Sequence, residues 1–495
     1  MQAGTDVRCR SEPSSSVRPW LAVTCIAIAF GAAFRLAQFF SRQSFRGDEV
    51  SLLMNIVGKP TRELFRAHLE HGQAAPPVFL AVQRWLALYV GTDELTQRLV
   101  PLVLSLISLP LMAAVAWRVL TPLAATVATG LFCFSDKCIW FAAEVKQYSG
   151  DVACTLALML LFLLSATEGA SPVATAAFLL LGAAGIWFSH AVILVFGGLS
   201  AALFLLRCRR GSRAGLIYAI GNLPFVASFL LLYVVSIRHQ SADAYLQDWW
   251  ADSYVDWSHP LGIPLWLVGR LRNLTSYPIS PFEWLGALLV PLMFLGLWRW
   301  SRLRKWDALG LCLAPVATTL LAAAAHKYPF SGSRVNLFLA PGLLLLAGGG
   351  IDWIADAVST AHANRRIVPT LAAVLLVVPF AGDVKCLFLP RNKGNMGPLV
   401  AYLKEHRDSA EPIYVVRNGI EFQWYWPDAP GPVFLSQPVP GRPPPRFWMV
   451  TSFNADYQKR ELRENLARVP GAARQTGRKC VLRGAAAYEF VFDPG

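Results

Sequence analysis

Asp48 and Glu49 stand side by side in Phe45-Arg46-Gly47-Asp48-Glu49, a few residues past an apolar run from Trp20 to Phe40. A run of that length can span a bilayer, so the two carboxylates would emerge at the membrane surface, where a lipid headgroup would sit. The same pair also fits a solvated loop that terminates a helix. Two later stretches pack polar groups against apolar runs in the same way. Ser135 to Tyr148 contains Asp136, Lys137, Glu144 and Lys146. On a helix, Glu144 and Tyr148 share a face at i, i+4 while Lys146 points elsewhere, which suits a cavity with an acid and a base or an interfacial belt. Ala325 to Val335 places Lys327 and Arg334 around Ser331-Gly332-Ser333. The amides of such a turn and two cations suit a phosphate, and they also suit a tight turn with snorkelling basic side chains. His71, in His71-Gly72-Gln73-Ala74-Ala75-Pro76-Pro77, and His190 complete the set, and a lone histidine such as His190 reads as a packing residue.

These residues need a scaffold, and composition says which kind. The chain has 495 residues, 55% of them hydrophobic and 15% charged, with a mean hydropathy of +0.43. That is too apolar for a soluble protein of this size and too polar for spans alone, so it reads as a polytopic membrane protein with a soluble part. The net charge of +14 falls largely in short loops between apolar runs, where membrane orientation accounts for it and nucleic acid is not implied. The nine cysteines show no metal or redox spacing.

Read in order, residues 1–18 form a basic cytoplasmic tail ahead of an uncleaved signal anchor, and residues 19–382 form a transmembrane domain. Spans are expected at Trp20 to Phe40 and at about 98–118, 121–135, 148–166, 172–188, 190–206, 214–236, 283–299, 306–325, 335–352 and 367–382, eleven in all. Counting alternately puts three basic loops in the cytoplasm, at Arg207 to Arg213, Arg299 to Lys305 and Arg365-Arg366. It puts residues 41–97, 136–147, 237–282, 326–334 and the tail outside. Arg334 then lies at an outer span end, against the usual bias, which adds weight to a binding role. Within 41–97, an amphipathic helix carrying Leu64, Phe65, His68 and Leu69 on one face, and a second helix from Val78 to Val90, are too short or too polar to cross and fit lying in the interface.

Beyond Gly382 the apolar runs shrink to strand length. Residues 383–495 are expected to form a small extracytoplasmic α/β domain, with helices at Gly397 to Arg407 and Tyr457 to Val469, strands at Pro412 to Val416, Phe447 to Ser452 and Ala487 to Phe492, and a proline-rich loop at Pro438 to Pro445. Its two cysteines, Cys386 and Cys480, could pair or remain buried thiols.

The ordered set Gly47-Asp48-Glu49, Pro76-Pro77, Glu144-x-Lys146-x-Tyr148, Tyr328-Pro329-Phe330-Ser331-Gly332-Ser333-Arg334 and a soluble carboxy-terminal domain resembles the GT-C superfamily of polyprenyl-phosphate-sugar-dependent glycosyltransferases. The likeness is to its protein O-mannosyltransferase and aminoarabinose transferase branch. It implies a membrane glycosyltransferase of the cell envelope, in a bacterial inner membrane, that moves a sugar from a polyprenyl-phosphate carrier to an acceptor on the extracytoplasmic side with inversion. It also implies Asp48 and Glu49 as the catalytic acids, Asp48 serving as the base, with Lys146, Lys327 and Arg334 on the donor phosphate, and His71, Glu144 and Tyr148 lining the substrate site. Lys146 stands where the family has an arginine, offering a point charge in place of a fork. Ala75 stands where a basic residue often precedes the prolines, with His71 four residues earlier. The Asp-x-Asp-like element of metal-dependent members is absent from the second loop, which implies a reaction with neither metal nor cofactor. The acceptor class, whether protein, lipid or polysaccharide, stays open. The competing class is a transporter or a scaffold displaying the tail domain. A transporter is expected to carry ionisable or helix-breaking residues deep in its spans, whereas here the polar residues concentrate at one face.

Overall fold

The computed structural model describes residues 17–66, 68–167, 171–241, 243–361, 364, 366–392, 394–409, 411–416, 419–429, 433–434, 445–453 and 472–493. All eleven expected apolar runs are helical. Among the described residues, nine helices are long and apolar enough to cross a membrane: Arg18–Phe40, Glu94–Val119, Tyr148–Ala166, Ala191–Arg210, Ser212–Gln240, Glu283–Arg302, Trp306–Ala324, Arg334–Thr360 and Ile367–Phe388. The other two, Pro122–Cys133 and Pro172–Gly185, are shorter apolar helices. The chain is an integral membrane protein of helical type with a small carboxy-terminal sheet domain.

Local chemistry sets the helix starts. Pro122 and Pro172 each occupy a first helical position, where proline's fixed φ fits and its missing N–H costs nothing. Asp93 caps the Glu94–Val119 helix, accepting from the Leu95 and Thr96 N–H groups at 3.1 and 3.2 Å. The Glu283–Arg302 and Ala340–Thr360 helices touch backbone to backbone. A Cβ on Gly296 would lie 2.0 Å from the Leu346 carbonyl oxygen, and one on Gly350 the same distance from that of Leu292. Small residues permit this approach where no water drives helices together.

The segment after the first span departs from expectation. Asp48 and Glu49 do not sit in a loop but in the first turn of a helix, Gly47–Gly58. Two acids at a helix N-terminus are favoured by the unpaired N–H groups there. The amphipathic helix expected through Leu69 stops at Arg66. The chain then turns back at His71 and Gly72, whose φ angles of 62° and 60° are left-handed, and Leu69 bridges Gln73. Pro77–Tyr89 is helical as expected. These short helices share an apolar layer of their own, with Val50, Leu53, Ile56, Phe79 and Leu80 buried together against Val145.

The last apolar helix runs to Phe388, past the expected boundary, so Cys386 belongs to it and not to the tail domain. Cys386 and Cys480 are both free thiols. In the tail, Met396–His406 is the expected helix, and the expected strands correspond to β1 (Ile413–Val416), β3 (Arg446–Phe453) and β5 (Gly484–Asp493). Two strands were not expected, β2 (Val433–Phe434) and β4 (Ala472–Leu482). The sheet order is β2-β1-β3-β5-β4, parallel on the β2-β1-β3 side and antiparallel from β3 onward. Leu399, Val400 and Leu403 of the helix pack on Ile413, Val415, Trp448 and Val450, giving a helix layer over the sheet. The helix expected at Tyr457 to Val469 lies outside the described residues, as does nearly all of the proline-rich loop.

Candidate functional site

The two acids of the first loop have opposite surroundings. Glu49 is buried and receives a fork from Arg98, whose Nε and Nη2 donate to its two carboxylate oxygens at 2.9 and 2.8 Å. The N–H groups of Arg46 and Val145 donate to the same carboxylate at 3.2 and 2.9 Å. Arg98 is itself buried, donates to the Gln43 and Ser44 carbonyls, and lies 5.0 Å over the Phe45 ring. Glu49 therefore braces the helix start and ties the second loop to the first. A charged pair this enclosed stands only because its remaining lone pairs and protons find partners.

Asp48 is partly open and pairs with Arg334 through Oδ2 and Nη1. Burial would raise its carboxyl pKa, but the Lys146 ammonium, the Arg334 guanidinium and then Arg46 outweigh it, holding the group below the usual carboxylate range. Lys146 is buried and bonds through Nζ to Gln73 Oε1. Burial pushes its ammonium pKa down, opposed chiefly by Asp48. Glu144 is buried and accepts from Trp140 Nε1, and burial followed by the Glu49 charge raises its pKa. Glu144 and Lys146 do not lie on a helix, since residues 142–147 form a turn that brings both inward. Tyr148 opens the next helix, buried, with its ring 4.9 Å from that of Phe141.

Asp48, Glu49, Glu144, Lys146 and Arg334 thus form one electrostatic group, with Asp48 and Arg334 paired directly, the others acting through their charge, and Tyr148 beside them. His71 and Lys327 have exposed side chains and enter none of the polar contacts of this group. From the His71 loop it is Gln73 that reaches Lys146. The turn before Arg334 also differs from expectation. Its amides do not stand ready for a phosphate, because Asn336 Oδ1 accepts from the Ser331 and Gly332 N–H groups at 2.7 and 3.0 Å, while Asn336 Nδ2 donates to the Pro329 carbonyl at 3.0 Å. Gly332 is left-handed, at φ 67°, and a Cβ there would meet the Leu274 backbone at 2.6 Å. The turn is a rigid seat for Arg334.

Sequence reasoning missed Arg46, Arg98, Gln73 and Asn336. Arg98 carried a signal, a basic residue at an outer span end, the same argument that singled out Arg334. Arg46 carried another, directly before Gly47-Asp48; its guanidinium lies 5.8 Å over the Trp140 ring. Arg35 lies buried in the first span, where Ser105 Oγ and the Gly31 and Cys133 carbonyls accept from it at 2.8, 2.9 and 2.9 Å, so its donors are met by packing neighbours. Among the described residues no group of three or more His, Cys, Asp or Glu is arranged to hold a metal ion.

No protein-family model matches the chain, and no curated protein matches it by sequence. Solved structures do. ArnT from Cupriavidus metallidurans in the apo state superposes with a TM-score of 0.53 at 14% identity, covering 96% of this chain and 98% of that one. The apo oligosaccharyltransferase from Archaeoglobus fulgidus superposes with a TM-score of 0.53 at 11% identity, covering 92% of this chain and 69% of that one. The chain has the fold of the GT-C membrane glycosyltransferases.

Proposed function

We propose that this protein is an inverting glycosyltransferase that takes a sugar from a polyprenyl-phosphate carrier and gives it to a cell-envelope acceptor on the extracytoplasmic side, with Asp48 as general base. The observation that carries the reading is Asp48 itself, a half-exposed carboxylate held between Arg334 and Lys146 on a helix start that Glu49 and Arg98 fix in place. In the step, the acceptor hydroxyl oxygen forms a bond to the anomeric carbon as the bond from that carbon to the phosphate oxygen breaks. The proton passes to Asp48, and the phosphate leaves with the electron pair. Arg334 and Lys146 offset the charge that develops on the leaving phosphate, an electrostatic role that needs no metal.

The Asp48 to Arg334 pair gives this scheme an order of events. A donor phosphate that takes up Arg334 removes the counter-ion of Asp48, and a carboxylate that loses a neighbouring cation becomes a stronger base. Donor binding thereby readies Asp48 for the acceptor. Incubating purified protein with a radiolabelled polyprenyl-phosphate sugar and an envelope extract tests the reading: sugar transfer with release of the lipid phosphate is expected from the wild type and not from Asp48→Asn. Release that persists in the variant would sink it.

A further inference from the structure

The helix that carries Asp48 is short, and its first turn is held from the tail domain. The Gly47 N–H, which has no partner inside the helix, donates to Glu421 Oε1 at 2.5 Å. The Phe45 N–H donates to the Tyr425 hydroxyl at 2.6 Å, and that hydroxyl donates in turn to Glu94 Oε1 at 2.6 Å. The Ser44 N–H donates to the Gly394 carbonyl at 3.1 Å, and Ser44 Oγ accepts from the Gly397 N–H at 3.0 Å. The Trp424 ring meets Phe45 edge-on with centroids 6.0 Å apart. Glu421, Trp424 and Tyr425 all lie on one helix, Gly419–Tyr425. Glu421 is buried, and its carboxyl oxygen supplies the acceptor that the first N–H of the helix lacks within the helix itself.

We propose that Glu421 is a positioning residue for Asp48, so that the soluble domain sets the attitude of the base by holding Gly47 through Glu421 and Phe45 through Tyr425. The inference rests on the reading of Asp48 as base, and it gives the tail domain a part in the chemical step. A base acts only within hydrogen-bond reach of the proton it takes. Releasing the residue before Asp48 frees the first turn to fray while the rest of the helix stays packed on Val50, Leu53 and Ile56.

The test compares full-length wild type, Glu421→Ala and Glu421→Gln in lipid nanodiscs, with two readouts. Hydrogen exchange over residues 43–58 reads the contact without reference to any activity. Glu421→Ala is expected to speed exchange there and leave the sheet of the tail domain as protected as in wild type, while Glu421→Gln, whose amide oxygen still accepts from Gly47, stays near wild type. Transfer from a polyprenyl-phosphate sugar reads the consequence. Glu421→Ala is expected to lose kcat by ~10²-fold, the cost of a small misplacement of a reacting group, with donor KM within a few-fold of wild type. Glu421→Gln recovers most of kcat, and Asp48→Asn combined with Glu421→Ala is no slower than Asp48→Asn alone. Unchanged exchange in Glu421→Ala overturns the proposal whatever the rates do, and so does altered exchange with unaltered kcat. A wild type that consumes no lipid-linked sugar overturns the glycosyltransferase reading instead, and the exchange data still decide whether Glu421 holds the turn.

Discussion

Asp48 and Glu49 are adjacent in sequence, yet Asp48 faces Arg334 at a partly open edge while Glu49 turns inward to Arg98. Being consecutive in a helical first turn, the two point in different directions, and this divides labour between them.

Asp48→Asn keeps shape and removes the proton acceptor. A loss of ~10²–10⁴-fold in transfer is expected, with donor lipid still bound and the protein still inserted. Binding of a non-transferable donor analogue measured beside the rate checks both halves.

Glu49→Gln should act through folding. It leaves the Arg98 guanidinium buried without its counter-charge, and breaking one partner of such a pair costs about 3–5 kcal/mol. A fall in melting temperature that Arg98→Met in the same chain partly reverses is the expected result. A Glu49→Gln protein that melts like wild type would remove the bracing role.

Arg334→Ala should weaken donor binding more than acceptor binding, and Arg334→Lys should restore it only in part, since an ammonium lacks the fork. The pH profile gives a second reading. Asp48 is held below its ordinary 3.8, with the pull of Lys146 and Arg334 outweighing burial, so the pairing stabilises the fold above that value and is lost as pH falls through the lowered one. The acid limb of kcat/KM should therefore lie below about pH 4 in wild type and move upward in Arg334→Gln.

Glu421 runs the other way. Burial, only partly offset by the Gly47 N–H and the Arg46 charge, raises its carboxyl from 4.5 to about 7, with Glu49 and Asp48 facing it and adding to the rise. The folded protein thus holds a proton that the unfolded chain gives up, and stability falls as pH climbs between those values. Glu421→Gln should melt higher relative to wild type at about pH 8 than at about pH 5.

A reporter fused after the last residue tests orientation. The two short apolar helices, Pro122–Cys133 and Pro172–Gly185, take the nine candidate spans to eleven, and both totals are odd. A cytoplasmic amino terminus thus places the tail domain outside under either count. A fusion active only in the cytoplasm should stay silent.

The spans were legible because a run such as Trp20 to Phe40 announces itself by length and composition alone. The Gly47–Gly58 helix was not, since a glycine and two acids read as a loop until the partners of its first turn, Arg98 and Glu421, are seen arriving from far along the chain. β4 was missed for a related reason. Its Ala-Ala-Arg-Gln-Thr-Gly-Arg-Lys opening lacks alternation, as befits an edge strand whose charges discourage further pairing. Arg334 could be singled out from its place at a span end, but the capture of the neighbouring amides by Asn336 has no sequence signature.

The backbone contact at Gly296 and Gly350 bears on traffic through the bundle wall. With a glycine of each helix set against a carbonyl of the other, the seam between Glu283–Arg302 and Ala340–Thr360 is closed around Gly296 and Gly350 and opens toward the Arg302 and Thr360 ends, where Trp298, Arg299, Trp353 and Asp356 line a cleft. Under the proposed function a carrier lipid would enter elsewhere than this closed stretch, and photo-crosslinkers placed beside Gly296 and Gly350 should stay dark toward it.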